Sequence, residues 1–309
     1  QANRPHSLRF PYNTQAALAA WRLMHFEPGR FQPDTVQSAE WNRGAYLVNG
    51  PAHCAACHSA RDALGGASAA FGASDLPDGH WFAPSLSDPR QAGVQLWSTE
   101  RIVALLQRGS VDGVTVMGPM ADVVFHSTQH LQTDDLRAMA TYLKALPVLE
   151  EPEVAFSAAD STQMHLGEQL YQRHCVDCHG AAGQGAAGAY PPLAGNRAVT
   201  QTSPVNTLQA ILRGGFAPAT AGHPQPYGMP PFRTLLSDTE VAALASFYRN
   251  AESEVITLRP EDYGCNAIGH FGFFRVGMPE RAWTDTATWL RKAAMRAAPA
   301  RTAPLELAA

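Results

Sequence analysis

Two copies of a Cys-x-x-Cys-His motif, 121 residues apart, constrain this chain more than any other feature of its sequence. The copies are Cys54-Ala55-Ala56-Cys57-His58 and Cys175-Val176-Asp177-Cys178-His179. This motif is typical of haem c attachment, because its two thiols add to the two vinyl groups of the porphyrin and the adjacent imidazole then ligates the iron. The sequence therefore predicts two covalently bound haem c groups, with His58 and His179 as the proximal iron ligands.

Cysteine pairs of this kind also occur in zinc sites, disulfides and redox motifs. A zinc site built from two such pairs usually separates them by about 15–20 residues, far fewer than here. A disulfide or a thioredoxin-like motif leaves the histidine after each pair unexplained. The fifth cysteine, Cys265, has no partner at haem-binding spacing, so we expect a free or buried thiol there and no third covalent haem.

Each half also offers a methionine as the second axial ligand, which raises the reduction potential of a haem. In the second half Met229 lies in a proline-flanked loop, and the prolines would hold that loop open. In the first half Met117 and Met120 compete. We favour Met120 because it follows a Gly-Pro turn and precedes an apolar stretch, and bis-histidine ligation through His126 or His130 is the alternative.

The segments around the two motifs follow the same order: helix, haem motif, proline loop, helix, methionine loop, helix. The predicted helices cover residues 41–47, 98–106 and 133–143 in the first half and residues 166–171, 207–212 and 237–248 in the second. In each proline loop we expect a carbonyl group, that of Pro84 or Pro191, to accept the Nδ1–H of the proximal histidine.

Capping residues and glycines support these helix assignments. Ser98, Thr207, Thr133 and Ser237 are the predicted caps, and an Arg-Gly pair is the predicted stop of the helix after each proline loop. A glycine in the first helix of each half, Gly44 and Gly167, should let another helix approach closely, with a nearby tyrosine packed on a neighbour.

The sequence thus predicts an all-α fold with two tandem cytochrome c domains. The expected divisions are an N-terminal strap at 1–40 with a helix near 16–25, domains at 41–147 and 161–251, a linker at 148–160 and a C-terminal extension at 252–309. The basic, tryptophan-bearing stretch at 279–296 would form a helix that lies on a membrane surface or packs on protein.

Charge and hydrophobicity exclude two classes of function. The net charge of −4 argues against a nucleic-acid partner, which normally requires a basic face. No run of 18 apolar residues is present, so no transmembrane helix is expected. Because haem c is attached to exported chains, we expect a bacterial periplasmic location, and the start at Gln1 is what processing after export would leave.

Longer strings carry a resemblance to a known family. They include Ala39-Glu40-Trp41-Asn42-Arg43-Gly44-Ala45-Tyr46-Leu47-Val48, Met120-Ala121-Asp122-Val123-Val124, Ser127-Thr128-Gln129-His130-Leu131 and Pro191-Pro192-Leu193-Ala194-Gly195-Asn196. Over residues 8–250 the chain resembles the cytochrome c subunits of membrane-associated dehydrogenases that oxidise alcohols, aldehydes or gluconate in the bacterial periplasm. It is similar to the second and third haem domains of these usually three-haem subunits, and their usual ending is not recognisable beyond residue 250.

The resemblance implies an electron-transfer subunit with no catalysis of its own. Its expected partners are a large dehydrogenase subunit of quinone-cofactor, flavin or molybdenum type and, as acceptor, a quinone or terminal oxidase, with peripheral membrane contact. Two alternatives follow from the haem motifs themselves: a free-standing soluble dihaem carrier, or a dihaem peroxidase or thiosulfate-oxidising enzyme. The enzymes need a haem with an open or labile distal position, which a methionine in both halves argues against.

Overall fold

Helices account for most of the secondary structure in the computed structural model, which describes residues 7–67, 71–76, 81–111, 113–149, 160–201, 203–250 and Arg281. The α-helices in these ranges are α1 (Gln15–His25), α2 (Ala39–Asn49), α3 (Thr99–Arg108), α4 (Pro119–His126), α5 (Thr133–Lys144), α6 (Ser161–His174), α7 (Val176–His179), α8 (Arg197–Thr200), α9 (Val205–Arg213) and α10 (Asp238–Asn250). Short 3-10 turns lie at Cys54–Ala56 and Thr128–His130. None of the described helices combines the length and hydrophobicity needed to cross a membrane.

The described residues are helix-rich, as the predicted all-α class requires, and they also form three antiparallel ladders of two-residue strands. They pair β1 (Ser74–Asp75) with β2 (Phe82–Ala83), β3 (Ser110–Val111) with β4 (Val114–Thr115), and β5 (Gly215–Phe216) with β6 (Gly228–Met229). Two of these ladders follow a helix-ending glycine, Gly109 at φ +71° and Gly214 at φ +62°. A positive φ reverses the chain at once, so the residues beyond it can pair their peptide groups.

The helix stops are confirmed, and the predicted caps are confirmed at two of four positions. Ser98 accepts a hydrogen bond from Arg101 N (3.2 Å), and Ser237 forms a reciprocal capping box with Glu240. The other two predictions are wrong. Thr207 lies inside α9, which begins after Pro204, and its hydroxyl donates to Ala198 O instead (3.3 Å). Thr133 is the first residue of α5 rather than its cap.

In each half the first helix packs closely against the last, α2 against α5 and α6 against α10. The predicted role of the two glycines is confirmed. A Cβ atom on Gly44 would overlap the carbonyl oxygen of Ala138, and one on Gly167 would lie 2.5 Å from Ala243 O. Both crossings therefore bring backbone against backbone, which fixes the separation of the two helices.

Two hydrophobic clusters form around these crossings. The first cluster contains Leu47, Val48, Phe71, Val94, Ile102, Leu106, Leu136, Met139, Ala140 and Leu143. The second cluster contains Leu170, Tyr171, Cys175, Ile211, Phe232, Leu236, Val241 and Leu244. The two clusters share no residue, so each candidate haem motif borders a core of its own.

The N-terminal segment contacts the loop that follows the first motif through polar side chains. Trp21 Nε1 donates to Leu64 O (2.9 Å), and His25 Nδ1 lies 3.6 Å from Asp62 Oδ2. These contacts place the predicted helix, observed as α1, against residues 61–67. Most of the predicted linker (150–159), Cys265 and the helix predicted at 279–296 lie outside the described residues, apart from Arg281.

Two side chains of the second half bind the main chain of the first. Arg197 Nη1 donates to Pro89 O (2.5 Å) and Gly93 O (2.9 Å). Asn206 pairs with Phe82 in both directions, accepting from Phe82 N (3.0 Å) and donating to Phe82 O (2.8 Å). Each of these four hydrogen bonds needs a particular side chain in the second half and only a peptide group in the first.

Trp97 completes this junction. The Arg197 guanidinium lies 4.8 Å from the Trp97 ring centroid, and that of Arg101 lies 3.9 Å from it, at the edge of a cavity of about 430 Å³. Burial, and then the charge of Arg101, lower the pKa of Arg197. Attraction between a cation and an aromatic face offsets part of the cost of holding two positive charges at one ring.

Replacing Arg197 with glutamine should destabilise the junction, because the shorter side chain leaves two carbonyl groups without their charged donor. We expect a loss of about 2 kcal/mol in unfolding free energy. Chemical denaturation of the purified protein measures it, with Arg30→Gln, an exposed arginine in the strap, as the matched control. Equal midpoints for the two variants would show that the contact adds no stability.

Two candidate haem-binding sites

The first motif begins on the 3-10 turn at Cys54–Ala56, which residues 50–53 separate from α2. His58 N and Cys57 N both donate to Cys54 O, at 2.9 and 3.2 Å, so both thiols and the imidazole project from one tight turn. His53, which precedes this turn, has a φ of +36°, the one positive φ of a non-glycine residue in the described ranges. Strained backbone of this kind is concentrated at functional sites.

The second motif has the same local geometry. Cys175 ends α6 and begins α7, and its carbonyl oxygen accepts from His179 N (2.9 Å) and Cys178 N (3.3 Å). None of the four motif cysteines is in a disulfide. In the described part of the chain no three His, Cys, Asp or Glu side chains converge, so the two pairs do not meet as a zinc site would require.

Each motif histidine contacts the expected proline carbonyl. His58 Nδ1 lies 2.7 Å from Pro84 O, and His179 Nδ1 lies 3.0 Å from Pro191 O. Burial lowers the pKa of both imidazoles, although the proline carbonyls oppose that shift. A neutral imidazole that donates through Nδ1–H leaves the Nε2 lone pair available for a metal, which is the arrangement an iron ligand needs.

The candidate methionines border the same clusters as the motif cysteines. Met120 and Cys54 both pack on the first cluster, and Met229 packs on the second cluster, which contains Cys175. Met117 points elsewhere, since its Cε lies 3.6 Å from the position a Cβ atom would take on Gly215. Neither candidate sits in an open loop: Met120 is in the first turn of α4 and Met229 is on β6.

The two histidines of the alternative ligand set are exposed. The His126 ring packs edge-on against Phe125 at 4.7 Å, and His130 Nε2 lies 3.2 Å from Phe125 O. Neither contact is with a residue of the first cluster. The described geometry therefore brings Met120, and not these histidines, to the core that borders the first motif.

The fit of haem c to these residues can be judged from their chemistry. Covalent attachment needs free thiols, and all four motif cysteines are free, with Cys54 on the first apolar cluster and Cys175 in the second. Both motifs combine such a thiol with a neutral imidazole and a thioether on the same apolar cluster. This donor set is the one found at c-type haems, and haem c supplies one-electron redox chemistry when bound.

Two site contacts were not anticipated from the sequence. Tyr248 donates its hydroxyl to Cys175 Sγ (3.2 Å), and Tyr171 donates to Gly180 O (2.5 Å). Both tyrosines come from the α6–α10 crossing, with ring centroids 5.7 Å apart. The sequence predicts that Tyr171 packs on a neighbour and places Tyr248 only within a helix, since helical periodicity puts a side chain on a face without naming its partner.

Comparison with known proteins shows which family model part of the chain matches and which proteins the chain resembles. Residues 164–252 match the cytochrome c family, so this part of the chain is a cytochrome c domain. The chain is 36% identical over 264 residues to the cytochrome c subunit of a quinone alcohol dehydrogenase from Gluconobacter oxydans. It is 32% identical over 270 residues to the gluconate 2-dehydrogenase cytochrome c subunit of Pantoea cypripedii, and 34% identical over 153 residues to a diheme cytochrome c-type protein of Cereibacter sphaeroides.

These alignments confirm the resemblance to cytochrome c subunits of bacterial dehydrogenases. The two subunit alignments cover 80% and 81% of this chain, and the diheme alignment covers 48%. The same alignments cover 55%, 61% and 50% of the relatives' own lengths, so the chain spans about half the length of the curated relatives it matches.

Proposed function

We propose that this chain is a dihaem c-type cytochrome that relays electrons one at a time from a periplasmic alcohol- or aldehyde-type dehydrogenase to a quinone or a terminal oxidase. The repeated geometry carries the proposal: in both halves a Cys-x-x-Cys-His turn directs its histidine to a proline carbonyl beside an apolar cluster. The same geometry supports two tandem cytochrome c domains, at 41–147 and 161–251.

In this proposal each domain holds one haem c through its own residues. Cys54, Cys57 and His58 serve the first haem, with Met120 as the distal ligand. Cys175, Cys178 and His179 serve the second, with Met229 as the distal ligand. Pro84 and Pro191 orient the two proximal imidazoles through Nδ1, which fixes each ring and increases its basicity.

Six-coordinate iron has no open position for a substrate, so substrate oxidation belongs to a partner. A large dehydrogenase subunit of quinone-cofactor, flavin or molybdenum type would supply the electrons, on the outer face of the inner membrane. The names of the alcohol and gluconate dehydrogenase subunits support this choice of partner.

Mass spectrometry of the complex gently purified from its source membrane tests the proposal. We expect the denatured chain to exceed its polypeptide mass by two haems, and the native complex to retain a large subunit with its own redox cofactor. A chain bearing one haem would contradict the dihaem assignment. Two haems on a chain without a partner would contradict the dehydrogenase relay and favour the free-standing soluble carrier.

A further inference from the structure

The loops that carry the candidate ligands of the second haem expose two aromatic side chains, Phe216 and Tyr227, and partly expose a third, Tyr190. Tyr190 precedes Pro191, and its side chain lies near Cys178, whose sulfur would form a thioether with haem c. Its ring lies 5.2 Å from that of Tyr227, which is 61% exposed. Phe216, 67% exposed, covers Gly228, where a Cβ atom would lie 2.5 Å from the Phe216 ring.

This region also differs from the rest of the chain in charge. Residues 178–237 contain no Asp or Glu, although the whole chain carries 27 and has a net charge of −4. Two of the three arginines in this stretch, Arg213 and Arg233, are exposed. Arg233 N donates to Leu212 O (3.3 Å), so Arg233 lies beside Leu212, the residue that precedes Arg213.

Tyr190, Phe216, Tyr227, Arg213 and Arg233 are called the aromatic–arginine surface below. Aromatic residues and arginine are the types most enriched at protein interfaces. A partner seated on these loops would approach the second haem at the residues that bind it. Small, transient contacts of this kind are typical of electron-transfer complexes.

We propose that the aromatic–arginine surface docks an acidic electron-transfer protein at the second haem. The proposal rests on the proposed function, because it assigns the surface through which that relay exchanges electrons with its partner. The absence of acidic residues over 178–237 selects a partner of negative charge, since positive and negative surfaces steer each other into contact. The aromatic rings would then exclude water at the centre of the contact.

Stopped-flow oxidation of the reduced holoprotein by two small complexes of opposite charge tests the electrostatic part. The probes are hexacyanoferrate(III), an anion, and tris(phenanthroline)cobalt(III), a cation. If the local surface governs the encounter, the rate with the anion falls as salt rises and the rate with the cation increases. If the net charge of −4 governs it, both dependences reverse, and that result overturns the proposal.

Arg213→Gln and Arg233→Gln test whether the salt dependence of these rates comes from the aromatic–arginine surface. Each should slow oxidation by hexacyanoferrate(III) about three- to fourfold at 10 mM ionic strength, and the loss should vanish near 0.5 M salt. Arg30→Gln, with the same change of charge in the strap, should leave the rate unchanged. Equal slowing by all three variants would assign the effect to total charge and overturn the docking surface.

A protein probe tests the docking itself. The copper(II) form of an acidic plastocyanin-type protein should oxidise the reduced chain with a saturating rate at low salt, and Tyr227→Ser should weaken that saturation at least threefold. Saturation unaffected by Tyr227→Ser would overturn the proposal, as would binding of the chain to phosphatidylglycerol vesicles through Arg213 and Arg233. If both inorganic probes reoxidise the reduced protein, its electron-carrier function is supported, whatever the salt dependence of the rates. A failed docking test would then overturn the docking surface alone.

Discussion

Replacing Gly44 with alanine is expected to destabilise the first half by about 3 kcal/mol, with a fall in melting temperature of about 10 °C. The added methyl group would overlap the carbonyl oxygen of Ala138 and lie 2.9 Å from Tyr142 Cβ. Because Ala138 belongs to α5, the clash can be relieved only by moving one helix away from the other. Alanine is the better helix former by about 1 kcal/mol, so a net loss would show that the crossing outweighs helix propensity.

Two further glycines make this prediction specific. Gly167→Ala should destabilise the second half by a comparable amount, since its methyl group would lie 2.6 Å from Phe247 Cβ and 2.5 Å from Ala243 O. Gly29→Ala is the matched control, because no atom lies within 4 Å of its added Cβ. Calorimetric scans of all three variants would refute the close-packing account if Gly44→Ala and Gly29→Ala melted together.

Met120→Leu is expected to lower the potential of one haem by about 0.2 V, a fraction of the roughly 0.8 V that axial ligands span. Leucine nearly conserves the side-chain volume but removes the sulfur atom, so the first cluster would keep its packing while the first haem would lose its proposed methionine ligand. Spectroelectrochemical titration measures the shift, and the sulfur-to-iron absorption band of that haem should disappear with it.

Met117→Leu is the control within the same segment. Its thioether lies against Gly215 and outside the first cluster, so both haem potentials should stay within about 0.03 V of their original values. Met229→Leu should reproduce the large shift at the other haem. If Met117→Leu moved the potential and Met120→Leu did not, the assignment of the distal ligand in the first half would be reversed.

Local patterns in the sequence predicted much of each half. The Cys-x-x-Cys-His strings predicted the two candidate haem sites, and the two glycines predicted both close helix crossings, because these features are encoded within a few neighbouring residues. The Thr207 prediction failed for a tertiary reason: Pro204 already starts α9, and the threonine hydroxyl bonds to Ala198 O. The short ladders escaped prediction because strands of two residues are too short to show alternation.

The contacts between the halves had no local signal at all. Asn206 and Phe82 are 124 residues apart, and one partner in their hydrogen bonds is a peptide group that every residue carries. The sequence shows that residues 178–237 contain no Asp or Glu, but only the structure shows which arginines of that stretch are exposed. Pairings across such distances are set by the packed structure and not by periodicity.

The junction also has a consequence for how the two halves can diverge. At four of its hydrogen bonds the second half contributes specific side chains, those of Arg197 and Asn206, and the first half contributes main-chain groups of Phe82, Pro89 and Gly93. A different side chain at Phe82 or Pro89 would leave the main-chain groups in place, whereas a Cβ atom on Gly93 would lie 2.6 Å from the Asp88 carbonyl group. One inserted or deleted residue would displace the acceptors from the donors. Among descendants of this chain, the side chains at Phe82 and Pro89 should therefore vary while the length of the loop that carries them stays constant, and the two donor positions should keep their identity.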